Sequence, residues 1–199
     1  MLRMRITVFG ALVLAFLVLV GTSQSEGRVI PVPDQHAAEE ESAMALQISI
    51  DAFRNTERIP VVYTCEGENV SPAISWSGAP ESTRSFALIM DDPDAPSGTF
   101  THWVVWNIPA DSAALERAAP TDSALASGAI QGVNSARRAG YTGPCPPIGH
   151  GRHRYYFRLY ALDTLLDLDG GAPVDSVRSA MRGHVLGEAE YMGTYSRDR

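Results

Sequence analysis

Six segments of strand length come before the first convincing helix of this sequence. Two of them are nearly continuous apolar runs, and the other four are short or alternate between apolar and polar residues. In chain order they are ALQISIDAF (45–53), RIPVVYT (58–64), PAISW (72–76), RSFALIMD (84–91), THWVVWNIP (101–109) and HRYYFRLYALD (153–163). An unbroken apolar run of this length is typical of a strand buried on both faces, whereas alternation is typical of a strand with one buried face. We therefore predict a mainly β fold, a two-sheet antiparallel β-sandwich with a few peripheral helices.

One helix is predicted later in the chain, within APVDSVRSAMRGHVLGEAEY (172–191). Val177, Met181, His184 and Val185 recur there at helical spacing. This spacing predicts that His184 packs against the domain or caps the helix. The segment YMGTYSR (191–197) then returns as a short last strand.

The first residues predict a targeting segment. Arg3 and Arg5 precede an uncharged and almost entirely apolar run from Ile6 to Val20, and small polar residues follow. A membrane-spanning helix needs roughly 20 apolar residues, so this shorter run favours a cleaved signal peptide, with an uncleaved membrane anchor as the alternative. We predict a signal peptide at residues 1–23, a flexible linker at 24–44 and one domain at 45–199. The mature protein is then exported, periplasmic or secreted, and keeps no stable transmembrane anchor.

The charge of the chain argues against one class of partner. All 16 basic residues are arginine, and the 23 acidic residues leave a net charge of −7. An acidic chain of this kind does not favour a nucleic-acid surface. We predict no nucleic-acid partner.

Cys65 and Cys145 are the two cysteines of the chain, and their wide spacing excludes a CxxC redox motif. No pair of histidines stands near them at zinc-site spacing. In an exported chain the default for an isolated pair is a disulfide, and two unrelated buried thiols are the alternative.

The first of two polar segments is MDDPDAPSGTFTHWVVWN (90–107). An apolar strand ends there at Asp91 and Asp92, a turn follows, and the next strand begins with His102. Such a turn brings Asp92 and His102 close together at one end of the sheet, where a carboxylate fixes the tautomer of an imidazole. Asp91 is expected to terminate the strand rather than to share the pocket.

The second polar segment is GPCPPIGHGRHRYYFRLYALD (143–163). Two prolines stiffen it, and Gly149 and Gly151 allow backbone N–H groups to face a ligand. His150 lies between these glycines, and His153 stands at the head of the next strand. We predict an anion site in which His102, His153 and the N–H groups of the turn donate hydrogen bonds, the histidines either as imidazolium ions or as neutral donors.

These two segments resemble the signature segments of the phosphatidylethanolamine-binding protein family, in particular its bacterial Raf kinase inhibitor-like branch. The resemblance extends through YTCEGENVSPAISW (63–76) and GHVLGEAEYMGTYSR (183–197), and so covers residues 45–199. It implies a β-sandwich with a small surface cavity that binds phosphate-like anions, including phospholipid headgroups, with Cys65 and Cys145 flanking that cavity. Eukaryotic members often carry Trp-His-His where this chain has Phe100-Thr101-His102. Carried over residue by residue, the cavity uses Asp92, His102, Pro147, Gly149, His150, Gly151 and His153, with Asp94 and Tyr155 beside it.

Three classes of function remain. The leading prediction is an exported protein that binds a small phosphate-like anion or a phospholipid headgroup, without enzymatic activity, cofactor or bound metal. The first alternative is a metal-dependent phosphoesterase-type hydrolase, in which Asp92, Asp94, His102 and His153 hold a divalent metal or perform acid–base chemistry. The second is an inhibitor or interaction protein that acts on an unidentified exported protein partner.

Overall fold

The computed structural model describes residues 45–198, which form two antiparallel β-sheets and one α-helix. The predicted signal peptide (1–23) and linker (24–44) lie outside the described residues, as does Arg199. The helix, α1, spans Val174–Ala180, and a short 3-10 helix spans Val61–Tyr63. The strands are β1 (Gln47–Ser49), β2 (Ile74–Ser77), β3 (Ser85–Asp92), β4 (Phe100–Pro109), β5 (Ala114–Leu115), β6 (Ile130–Gln131), β7 (His153–Leu162) and β8 (Val185–Tyr195).

Two hydrophobic cores lie on the two faces of the larger sheet. That sheet has the strand order β6-β4-β3-β7-β8, and the smaller one has the order β1-β2-β5. The main core lies between the sheets, where Trp76 of β2 stacks at a tilt on Phe86 of β3. The second core lies on the opposite face of the larger sheet, where Val177 of α1 is fully buried. The predicted two-sheet β-sandwich is therefore confirmed.

Strand β3 occupies the centre of the larger sheet and is buried along its whole length. Phe86, Leu88 and Met90 point into the main core, while Ala87 and Ile89 point into the second core. Because both faces are covered by apolar groups, every position of the strand must be compatible with burial. This explains the unbroken apolar run in the sequence.

A β-bulge in β4 determines where His102 points. Met90 of β3 pairs with Trp103 and the next residue, Asp91, pairs with Thr101, so His102 has no partner in the register. An extra residue of this kind reverses the faces that the following residues occupy. As a result, Thr101 bonds to Asp91 on the face of the second core, and His102 lies on the same face as Trp103.

The predicted strand at 58–64 is wrong, because its centre forms the 3-10 helix. Pro60 has no N–H to contribute to a ladder and precedes the first helical residue. Thr64 then closes the turn, since both its backbone N–H and its hydroxyl donate to the carbonyl of Val61, at 2.9 Å each. β-branched residues alone did not decide the local structure.

The observed helix is shorter than the sequence pattern predicted. Val177 and Met181 are buried as expected, but α1 ends at Ala180, and Gly183 turns the chain with a φ of 82°. His184 therefore does not lie on the helix; its ring pairs with Asp163 at the surface, at 2.8 Å. The predicted last strand is longer than expected, because β8 already begins at Val185. Neither helix of the described residues is long and apolar enough to cross a membrane.

Candidate functional site

A cavity of about 210 Å³ opens at the end of the larger sheet where β3 finishes and β4 and β7 begin. Two stretches of chain build it: one runs from the end of β3 through the turn into the start of β4, and the other from the loop before β7 to the first residue of β7. Its lining residues are Asp92, Ala95, Pro96, Phe100, His102, Thr142, Gly143, Cys145, Pro146, Pro147 and His153. Asp92, His102, Pro147 and His153 of the predicted set thus meet in one place.

Asp92 is a buried carboxylate whose two oxygens both accept hydrogen bonds. Oδ1 accepts from the backbone N–H of Asp94 at 2.8 Å, and Oδ2 accepts from Nδ1 of His153 at 2.7 Å. The side chains of Asp92 and His153 are 4% and 2% exposed. The sequence predicted that Asp92 would orient His102, but the carboxylate bonds to His153 on the neighbouring strand β7.

Asp91 lies on the opposite face of β3 and contributes nothing to the cavity. Because side chains alternate along a strand, two adjacent aspartates must face opposite ways. Asp91 is buried beneath α1, where it bonds to Thr101 at 2.8 Å, to Arg178 at 2.5 Å and to Arg158 at 3.4 Å. It neither ends the strand, which continues to Asp92, nor shares the pocket.

His102 has one ring nitrogen bound to the protein. Its Nδ1 lies 2.6 Å from the carbonyl oxygen of Thr142, and the backbone N–H of Thr142 donates to the carbonyl of His102 in return. The ring packs between Phe100, at a centroid distance of 4.7 Å, and Tyr155, at 5.2 Å. Burial lowers the pKa of His102, even though the bond to Thr142 and the charges of Asp92 and Asp91 act in the opposite direction. Burial thus favours the neutral form of the ring, whereas the bond from Nδ1 to a carbonyl fits either the neutral ring or the expected imidazolium.

His153 links Asp92 to a third residue, His150. Its Nε2 lies 2.7 Å from Nδ1 of His150, so a chain of hydrogen bonds runs from Asp92 through both imidazoles to the surface. Since a carboxylate only accepts, Nδ1 of His153 carries a proton. His150 is exposed and does not line the cavity itself.

The glycine turn is positioned differently from the prediction. Gly149 and Gly151 have φ values of 74° and 91°, a conformation that favours glycine, but neither lines the cavity. The N–H of Gly149 donates to the carbonyl of Arg197, and the N–H of His150 donates to Pro147. Two N–H groups that were expected to bind an anion are thus already bonded within the protein, and the turn contributes the wall formed by Pro147.

The loop before β7 is tied to the segment around residues 63–69. A disulfide joins Cys65 and Cys145, with Cα atoms 5.4 Å apart, as the sequence predicted. Beside it, the N–H of Cys65 donates to Pro144 at 3.1 Å, and the N–H of Gly143 donates to the Asn69 side chain at 2.7 Å. These links fix one wall of the cavity.

Asp94 and Tyr155 lie beside the cavity without lining it. Asp94 forms a two-pronged ion pair with Arg154, at 2.7 and 2.8 Å, which lowers the pKa of Asp94 to about 2. Tyr155 is fully buried, and burial together with the negative charge of Asp92 raises the pKa of its hydroxyl. Asp94 is thus committed to Arg154 rather than to a ligand.

Sequence reasoning missed several lining residues. Phe100 supplies an aromatic wall in the position where the family pattern has tryptophan, and its place directly before Thr101-His102 was a usable signal. Thr142 and Gly143 gave no signal, because they act through backbone atoms. Among residues 45–198, no group of three or more His, Cys, Asp and Glu side chains is arranged to hold a metal ion.

Comparisons with known proteins agree with this fold. The family model for phosphatidylethanolamine-binding proteins matches residues 49–196. A UPF0098 protein of Methanothermobacter thermautotrophicus is 54% identical over 152 residues, covering 76% of this chain and 99% of the relative. Two solved structures are similar. A Chlamydia trachomatis protein has a TM-score of 0.71 and 38% identity, and the match covers 77% of this chain and 99% of that one. Escherichia coli YbcL, a new member of the mammalian PEBP family, has a TM-score of 0.72 and 34% identity, with coverage of 76% of this chain and 98% of that one.

Proposed function

The chain belongs to the phosphatidylethanolamine-binding protein family, and we propose that its cavity binds a small phosphate-like anion, either free or as part of a phospholipid headgroup. The observation that carries this proposal is the buried Asp92–His153 pair in the cavity wall. The carboxylate holds Nδ1 of His153 and so orients the ring in the cavity wall, with Nε2 as its second ring nitrogen.

His153 supplies the main donor. Its Nδ1 is held by Asp92, so Nε2 is the ring nitrogen that remains for a ligand. When the ring is protonated, an Nε2–H···O bond to a phosphate oxygen is charge-assisted and contributes roughly 1.5–3 kcal/mol. One bond of this strength, with the contacts of the cavity walls, supports modest affinity for a small ligand.

His150 competes with the ligand for this nitrogen. In the structure, its Nδ1 occupies the hydrogen-bonding position at Nε2 of His153. His150 is exposed, and the glycines on either side of it have open space around their Cα atoms. The ring gives up only its hydrogen bond and its edge contact with His153, at a centroid distance of 5.0 Å, when an anion takes its place.

The cavity is small and largely apolar in its walls. Phe100, Pro96, Pro146 and Pro147 line it, and no arginine does. Its volume of about 210 Å³ suits a phosphate group with a few attached atoms rather than a whole lipid. On this proposal, the acyl chains of a phospholipid remain outside the cavity.

We also propose that the protein is exported and acts in the periplasm or outside the cell. The disulfide between Cys65 and Cys145 supports this, because disulfides persist in oxidising compartments. Cell fractionation followed by mass measurement of the mature N-terminus tests the location and the cleavage site together. Recovery of the uncleaved chain in the membrane fraction would instead support the anchor alternative.

Calorimetric titration with inorganic phosphate and phosphorylethanolamine tests the binding proposal. We expect His153→Ala to lose detectable binding, and His184→Ala to bind like the wild type. His184 is a matched control, because it is also a histidine paired with an aspartate, but it lies outside the cavity lining. Thermal melts show whether each variant is folded.

Two outcomes would overturn the proposal. The first is a folded wild type that binds neither probe, and the second is a folded His153→Ala variant that binds as tightly as the wild type. Release of phosphate from phosphorylethanolamine that requires a divalent metal would support the hydrolase alternative. Recovery of a stoichiometric exported protein partner, with no affinity for either probe, would support the interaction alternative.

A further inference from the structure

We infer that the cavity selects oxyanions that retain a proton, because it presents a hydrogen-bond acceptor, Nε2 of His102, as well as the donor on His153. This inference rests on the proposed function and specifies its ligand. It distinguishes, for example, a phosphate monoester, which keeps a P–OH group in its monoanion, from sulfate or a phosphodiester, which have none.

The tautomer of His102 follows from its partner. A carbonyl oxygen only accepts hydrogen bonds, so the Nδ1 atom that lies 2.6 Å from the oxygen of Thr142 must carry a proton. Thr142 is itself held in place, because its N–H donates to the carbonyl of His102. The contacts with Phe100 and Tyr155 on both sides of the ring oppose a flip that would exchange its two nitrogens.

The ring is neutral for reasons of environment. His102 is 5% exposed, and burial disfavours the charged form. The groups that act on it are the nearby Asp92, His153 and Thr142 carbonyl, and Asp91 from the opposite face of β3; His153 acts with burial, while the two carboxylates and the carbonyl only partly offset it. A neutral ring with the proton on Nδ1 has a lone pair on Nε2.

This lone pair has no protein donor among residues 45–198. The ring of His102 forms its hydrogen bond through Nδ1. Nε2 is not one of the fully buried polar atoms that lack a partner, so it is accessible from the cavity. His102 lines the cavity, so Nε2 is the part of the ring that a ligand meets. His102 thus needs a hydrogen-bond donor from the ligand, whereas His153, when its ring is protonated as in the proposed function, needs an acceptor.

A ligand must therefore bring both kinds of group. An oxyanion with one O–H donates to His102 and accepts from His153. A fully deprotonated oxyanion places a negative oxygen against the lone pair and leaves a buried acceptor without a partner. A site built to bond with a ligand O–H discriminates strongly against an analogue that lacks it.

The first test compares sulfate with inorganic phosphate by calorimetry at about pH 7. The two ions are nearly equal in size, and every phosphate species at this pH keeps an O–H, whereas sulfate has none. We expect phosphate to bind about 10-fold more tightly or better. Monomethyl phosphate and dimethyl phosphate, compared at about pH 5 where both are monoanions, separate a monoester from a diester in the same way.

The second test changes the acceptor. Because an amide can turn its NH2 group toward the ligand, the His102→Gln variant should lose the preference for phosphate over sulfate to within about 3-fold. His184→Gln is the matched control and should keep the wild-type preference. If His102→Gln does not fold, nitrogen NMR of the wild-type imidazoles gives the same information: Nε2 of His102 should respond to phosphate and not to sulfate, while Nδ1 remains protonated.

The outcomes separate this inference from the proposed function. Binding of sulfate as tightly as phosphate, or a proton on Nε2 of His102, would overturn the inference and leave anion binding intact. Binding of neither ion by the folded wild type would overturn the proposed function and the inference with it.

Discussion

Removal of the disulfide should destabilise the domain strongly while leaving its cavity intact. The perturbation is the double variant Cys65→Ser/Cys145→Ser, which avoids the free thiol of a single variant. Both cysteines are exposed, so the serine hydroxyls remain hydrated and introduce little cost of their own. The effect then measures the cross-link rather than the side chains.

The magnitude follows from the length of chain that the bridge closes. Cys65 and Cys145 are 80 positions apart, and this interval includes β2 to β6. In the chain-entropy account, closing a loop of this length removes roughly 4.5 kcal/mol of freedom from the unfolded chain at 25 °C. In the folded state, the bonds from Cys65 N–H to Pro144 and from Gly143 N–H to Asn69 hold the same two segments together without the bridge. We therefore expect the free energy of unfolding to fall by about 4 kcal/mol, and anion affinity to change by less than about 3-fold.

Urea unfolding of the oxidised wild type and of the double variant measures the first quantity, and calorimetric titration measures the second. The unfolded chain of the variant is less constrained and exposes more surface, so its m-value should rise. A loss below about 1 kcal/mol, in a wild type whose bridge is verified by non-reduced peptide mapping, would refute the chain-entropy reasoning. Free thiols in protein isolated from the exported fraction would refute the bridge itself.

Three further predictions concern single side chains. His150→Ala should bind phosphate about 3- to 10-fold more tightly than the wild type in calorimetric titration, because a competing bond to His153 is removed; weaker binding would make His150 a ligand. Burial holds the pKa of His102 below its ordinary value near 6.5. As the pH falls, the unfolded chain therefore takes up a proton on His102 before the folded protein does. The contribution of the neutral ring to the free energy of unfolding is thus fully present above about pH 6.5 and declines below it. Urea titrations should show a larger loss of stability between about pH 8 and about pH 5.5 in the wild type than in His102→Gln, and equal losses in both proteins would contradict a neutral His102. Asp91→Asn should lower the free energy of unfolding by about 2 kcal/mol, since the partner Arg178 is only partly buried, with no change in anion affinity; a loss of binding would place Asp91 in the site after all.

The sheet could be predicted from the sequence because burial determines the composition of its strands. β3 alternates between two cores, and this requirement left an unbroken apolar run that few other structures accommodate. Segment 58–64 lacked such a constraint. Its β-branched residues favoured a strand, but Pro60 and the hydroxyl of Thr64 stabilised a 3-10 turn instead.

Which residues form the site could be predicted better than which hydrogen bonds they make. The resemblance placed Asp92, His102 and His153 together, and the structure does the same. Which carboxylate oxygen meets which imidazole depends on the register between strands, and on a bulge that has no sequence signature of its own. The tautomer of His102 depends on Thr142, which lies 40 residues away and acts through its backbone carbonyl. Contacts made by backbone atoms cannot be read from side-chain identity.

The segment just after β8 supports the loop that forms one wall of the cavity, although it is one of the last parts of the domain to be synthesised. The carbonyl of Arg197 accepts from Gly149, and the Arg197 side chain donates to the carbonyl of Pro146 and approaches the sulfur of Cys145 at 3.5 Å. Because a ribosome supplies the chain from the N-terminal side, β3 and β4 are made long before β7, which pairs with β3, and Arg197 comes later still. A nascent chain can pair β3 with β4 early, but the other edge of β3 stays open until β7 is made, and the cavity loop lacks its support until Arg197 is added. Until β7 is made, that open edge of β3 is exposed to pairing with other chains.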